Sequence, residues 1–153
     1  MKIYARQRAR QHLDKRLVAL KPVDRFAAPP KGWLRAIRDA LGMSGVQFAK
    51  RLGVRPQTVE SIEKSEASGT VQLSTLRRAA EVLDCTLVYV LVPNTSLDNT
   101  VVQRARKIAL RDLLRVAHTM KLEAQGTGDA DIEARIESYI RDVIKERDVW
   151  NES

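Results

Sequence analysis

The 153-residue chain has one cysteine, Cys85, so no intrachain disulfide can form. Aromatic residues are 5% of the total, and there are five prolines and seven glycines. A core must therefore be built from Leu, Val, Ile and Ala, and the scarcity of breakers favours helix over turn-rich β architecture. No apolar run approaches the roughly 18 residues that would span a bilayer. The N-terminal stretch MKIYARQRARQHLDKRL has no apolar segment of the signal-peptide kind. A cytoplasmic location is the expectation. Two histidines, His12 and His118, fall on separate helical segments, and no paired Cys or His spacing suggests a metal. Gly126 and Gly128 flank a single threonine, which is no phosphate-binding loop. No catalytic constellation, cofactor or metal site is expected, and the chain does not read as an enzyme.

Positive charge is abundant. The net charge is +8, with a pI near 10.0. Residues 1–64 carry 15 Lys/Arg against 5 Asp/Glu, while residues 65–153 carry 12 against 14. This asymmetry points to a polyanionic partner for the first part of the chain.

Apolar periodicity predicts helices over Ile3–Leu20, from Trp33 to near Gly42, from Ser74 as a cap, over Leu97 to about Glu123, and from Asp129 to about Arg147. Lys21–Gly32, with three prolines, reads as a linker or arm. Thr86–Val92, TLVYVLV, is β-branched and aromatic and reads as one strand. Three parts follow: 1–32, a basic helix and arm; 33–93, a central domain ending in the strand; and 94–153, a two-helix tail. A lone apolar strand leaves its N–H and C=O groups unpaired. Leu87, Val88, Tyr89, Val90 and Leu91 are therefore expected to pair with a second copy. The helical tail is the alternative dimer surface.

GVQFAKRLGVRPQTVESIEKSE, residues 45–66, holds the sharpest pattern. Two short helices crossing steeply need a turn residue tolerant of positive φ, supplied by Gly53, and a small residue four before it, Ala49. Phe48, Leu52, Val54, Val59 and Ile62 fall at core positions. Pro56 suits the first position of the second helix. Arg55 then occupies the cap position, where it is a poor cap, so its side chain is available for another use. Val59 and Ile62 facing inward leave Arg55, Gln57, Thr58 and Ser61 outward.

Ala49, Gly53, Val59, Ile62 and the SIEKS run resemble the helix-turn-helix of the Xre/Cro/cI repressor family over about Trp33–Cys85. The resemblance implies a lambda-repressor-like domain, and with the strand read above as paired across a dimer and the C-terminal helical hairpin the expected fold is mainly α. It also implies that the second helix of the motif enters the major groove. Arg55, Gln57, Thr58 and Ser61 are then the expected base readers; Ser44, Gln47, Lys50 and Lys64 are expected at phosphates. A dimer would meet a palindromic operator in double-stranded DNA. Gly45 stands where many members have a phosphate-binding glutamine. Ser65 stands where a closing glycine is usual, which suggests that the helix runs on toward Gly69.

GTVQLSTLRRAAEVLDCTLVYVLVP, residues 69–93, resembles the mobile mystery protein A family, typically encoded beside a Fic-domain protein. That resemblance implies an autoregulatory, antitoxin-like transcriptional regulator. The alternative is a neutraliser of a Fic-domain toxin, with DNA binding secondary. Thr119 and Glu123 have the spacing of the Fic-inhibitory helix, but Ala124 breaks its last position.

Overall fold

The computed structural model describes residues 2–119 and 129–151. The α-helices among them are α1 (Lys2–Leu17), α2 (Trp33–Ala40), α3 (Gly45–Leu52), α4 (Pro56–Ser68), α5 (Leu73–Val82), α6 (Leu97–Thr119) and α7 (Asp129–Asp142). Short 3-10 turns span Val18–Leu20, Val23–Phe26 and Glu146–Asp148. The chain forms two compact units. One is continuous, Pro22–Leu91; the other joins Met1–Lys21 to Val92–Ser153.

In the continuous unit, α3 packs on α4 and α5, and α2 packs on α4. Leu34, Phe48, Ala49, Val59, Ala79 and Leu83 form the buried centre, with Ile37, Met43, Val54, Ile62, Leu76, Val82 and Cys85 packed around it. One ring, Phe48, lies among small and aliphatic neighbours. Ala49 and Ala79 let the helix backbones approach closely, as the sequence requires of position 49.

Arg38 and Glu63 are also buried, at 8% and 6% exposure. The Arg38 Nε donates to Glu63 Oε1 at 2.6 Å and Nη2 to Oε2 at 3.2 Å, a two-pronged pair joining α2 to α4. Nη1 donates to the Met43 carbonyl at 2.9 Å and lies 2.9 Å from Asp39. The hydrogen bonds to Glu63 raise the Arg38 pKa above its ordinary value. A second carboxylate of α4 closes the start of α2. Glu66 accepts from the backbone N–H of Trp33 at 2.8 Å and of Leu34 at 3.0 Å. Gly32 precedes these residues at φ +85°, and a Cβ there would stand 2.7 Å from Glu66 Oε2. Glycine is thus favoured by backbone conformation, and a side chain there would push aside the carboxylate that caps α2.

In the discontinuous unit, α1 and α7 both pack on α6. Ala105, Ala109, Ile136 and Val149 are buried. Asp14 of α1 accepts from the backbone N–H of Leu97 at 2.7 Å and of Asp98 at 3.2 Å, while the Ser96 hydroxyl accepts from Asn99 N–H at 3.0 Å. Donors at the start of α6, which have no intrahelical partner, are met by these two residues. Arg10 pairs with Asp98 at 3.0 Å and with Glu146. Fourteen residues farther along α6 from Asp98, Asp112 accepts from the Tyr139 hydroxyl of α7 at 2.9 Å.

Two expectations are corrected here. Among the described residues none lies in a strand, and residues 85–93, including Leu87, Val88, Tyr89, Val90 and Leu91, form no ladder. A ladder needs a neighbouring backbone, which none of the described residues supplies to this segment; β-branched composition alone cannot create one. Val88, Tyr89, Val90 and Leu91 are exposed, Leu91 at 85%. The cap of α5 is Gln72, not Ser74, and its side chain makes no capping bond. The amphipathic pattern begins at Leu73, so Ser74 falls inside the helix.

Removing one partner of the buried pair should be costly, because it leaves the other charge buried and unmatched. Arg38→Ala and Glu63→Ala are each expected to lose ~3–5 kcal/mol in urea unfolding. The Arg38→Met/Glu63→Leu double variant should lose far less than the sum of the two. Additive losses would show that the two side chains act independently.

Candidate nucleic-acid interface

The turn between α3 and α4 forms as its residues dictate. Gly53 adopts φ +74°, ψ 31° and closes α3. The Val54 N–H reaches the Ala49 carbonyl at 3.0 Å, tightening the turn over the small side chain. Arg55 then returns to extended backbone at φ −76°, ψ 151°, and Pro56 begins α4. No side chain caps α4, so its N-terminal end presents uncapped backbone dipole outward.

Burial sorts the rest of α4. Val59 and Glu63 are buried and Ile62 half-buried, while Arg55, Gln57, Thr58 and Ser61 are all exposed. At 100° per residue, Gln57, Glu60, Ser61 and Lys64 share one face, with Thr58 on its flank. Ser65, in the place of the usual closing glycine, donates its hydroxyl to the Ile62 carbonyl at 2.9 Å. The helix continues to Ser68 and ends at Gly69, φ +76°.

The residues expected at phosphates divide by present occupation. Ser44 and Gln47 form a reciprocal capping box at the start of α3. The Ser44 hydroxyl accepts from Gln47 N–H at 3.1 Å, and the Gln47 side-chain oxygen accepts from Ser44 N–H at 2.8 Å. Accepting in this way leaves the Ser44 O–H, like the Gln47 amide N–H groups, able to donate. Lys64 pairs with Glu60 at 2.7 Å. That contact holds the Glu60 carboxyl below its usual range. Lys50 is exposed on α3.

Glu60, one of three glutamates in α4, gave no signal in the sequence because an acid is not expected from charge alone at a polyanion. It stands one turn from Gln57 and Lys64 on the same face, where a carboxylate can accept from a cytosine amino group. Thr119 ends the described part of α6, and Glu123 lies outside the described residues. Among the described residues no group of His, Cys, Asp and Glu could hold a metal ion, and no helix is long and apolar enough to cross a membrane.

Residues 34–90 match a protein-family model described as helix-turn-helix, of the Xre/cI type. Residues 34–90 thus form a helix-turn-helix domain of a DNA-binding family, and the match supports a DNA-binding regulator. No curated protein and no solved structure matches the chain.

The capping box separates a structural role from a DNA-contacting one. Ser44→Ala should lose ~1 kcal/mol of stability through the start of α3. Ser44→Asp should retain most of it, since a carboxylate also accepts from the Gln47 N–H. Equal stability of Ser44→Ala and the wild type in denaturant titration would contradict the cap.

Proposed function

We propose that the chain is a sequence-specific DNA-binding transcriptional regulator that inserts the N-terminal part of α4 into the major groove. The observation that carries this reading is the joint exposure of Arg55, Gln57, Thr58 and Ser61 around an uncapped helix start. Arg55 suits a bidentate contact to guanine and Gln57 one to adenine; Thr58 and Ser61 suit either hydrogen bonding or a thymine methyl. Glu60 joins them as an acceptor for cytosine. Lys50, the Gln47 amide and Lys64 would hold phosphates, Lys64 by exchanging Glu60 for the backbone.

The regulator acts as a homodimer on a palindromic site in this reading. Support comes from residues 86–92, where Val88, Tyr89, Val90 and Leu91 are exposed apolar side chains on backbone with no ladder partner among the described residues. The same segment of a second copy would supply that ladder and two half-site readers. The finer assignment, an autoregulatory antitoxin-like protein, rests on the resemblance of residues 69–93 to mobile mystery protein A. A Fic-domain partner belongs to that resemblance alone.

Binding selection from a random duplex pool tests the placement of α4. Arg55→Ala should lose ~1–3 kcal/mol on the selected site and relax one base position. Lys50→Ala should weaken all sequences about equally, because only a phosphate contact goes. An unchanged preferred motif in Arg55→Ala would refute the placement.

Light scattering tests the dimer. The wild type should be dimeric at micromolar concentration. Val90→Pro, which removes a ladder N–H and cannot sit in a paired strand, should give monomer and lose affinity for the selected site more than for random duplex. A wild-type monomer, or a dimer that survives the proline, would remove residues 86–92 from the interface.

A further inference from the structure

α1 has a defined inner side. Arg10 reaches Asp98 and Glu146, and Asp14, one turn later, accepts from the N-terminal amides of α6. Leu17, another turn on, is half-buried. At 100° per residue the opposite side carries Tyr4, Arg8, Gln11, His12, Lys15 and Arg16. All six are exposed. Among the described residues Arg8, Lys15 and Arg16 have no acidic partner, in contrast to Arg10. The helix thus spends its two inward ionic groups on its own anchorage and turns the remaining cations to solvent.

Three cations at positions 8, 15 and 16 span just over two turns, about 12 Å along the axis. Over that length a duplex presents about three phosphates on each strand. Tyr4 and Gln11 lie in line with Arg8 and Lys15, at i, i+4, i+7 and i+11, and add uncharged donors to the stripe. Such donors and cations are the set that binds phosphate oxygens.

The composition of this face discriminates among polyanions. A helix lying in a lipid interface needs a broad apolar face, and this one has no Leu, Ile, Val or Phe. Single-stranded nucleic acid is held largely by stacking on successive aromatic rings, and this face has only Tyr4 and His12, eight residues apart. Duplex phosphate needs neither. Lys21, four residues past the end of α1, is joined directly to the unit that carries α4. Engagement of a duplex by α4 therefore raises the effective concentration of duplex at α1.

We infer that the outward face of α1 is a second, sequence-independent contact to the phosphates of the duplex that α4 engages. This inference rests on the reading of α4 as a DNA-binding helix.

The test uses the full-length chain and a fluorescein-labelled 40-base-pair duplex of random sequence, with anisotropy measured between about 50 and 200 mM salt. In the wild type, log K falls linearly with log salt. Each phosphate contact contributes a slope of about 0.9. The Arg8→Gln/Lys15→Gln/Arg16→Gln variant should be shallower by between about 2 and 3. Its affinity at the low-salt end should fall at least roughly tenfold, as loss of counterion release requires. Arg8→Lys/Arg16→Lys, which keeps the charge, should retain the wild-type slope. Glutamine is a good helix former at exposed positions, so far-UV circular dichroism should be unchanged.

A wild-type slope in the glutamine variant overturns the inference. So does binding of the wild type, but not of the glutamine variant, to vesicles containing phosphatidylserine when both bind the duplex equally. Failure of the α4 reading looks different: selection would then recover no motif that Arg55→Ala alters, whatever the slope of the α1 variant.

Discussion

The buried pair of Arg38 and Glu63 fixes the geometry on which the DNA-binding unit depends. Two apolar helix faces can slide or rotate against each other at small cost, but a two-pronged guanidinium–carboxylate contact has one good geometry. It ties α2 to α4 at a position one turn beyond Val59. The rotation of α4 about its own axis follows, and with it the choice of side chains that face outward. Taking both charges from water is expensive, and the Met43 carbonyl and Asp39 offset part of that by engaging the third guanidinium nitrogen. The pair is thus better understood as a device for orientation than as a source of stability.

The same chemistry recurs at the helix starts. Glu66 of α4 caps α2, and Asp14 of α1 caps α6. In each case a carboxylate on one helix meets the amides of another, so one contact both satisfies orphan donors and sets how the two helices meet. A protein with few aromatic residues needs such fixings. Cores lined by Ala49, Ala79, Ala105 and Ala109 allow close approach, but small side chains specify position weakly.

Local requirements were legible in the sequence; long-range pairings were not. Gly53, Ala49, Pro56 and the run of α4 to Gly69 each answer to a backbone demand stated within a few residues, and the structure has them as expected. The exposure of Arg55 and Ser61 follows from the same periodicity. Arg38 and Glu63 carry no signal in the sequence, because their partnership spans 25 positions and no local pattern encodes it. Gly32 looked like one more linker residue, because the carboxylate it admits arrives from α4. α1 was set apart with the linker arm, whereas it packs on α6. The segment 86–92 was read as a strand from composition, but a strand is a relation between two backbones, and only one was in view.

The order of the chain carries a consequence for how the protein folds. The three-helix unit is interrupted by the 70 residues from Pro22 to Leu91, which fold as a unit of their own. The two ends of the interruption meet within the three-helix unit, where the Lys21 ammonium donates to the carbonyls of Asn94 and Thr95 at 3.2 and 2.5 Å. Bringing α1 to α6 therefore closes a loop, and the entropy lost rises with the length of flexible chain in it. A loop that has already collapsed into a helical unit closes as a much shorter one. The helix-turn-helix unit, whose contacts span fewer residues, is placed to form first, and the three-helix unit after it.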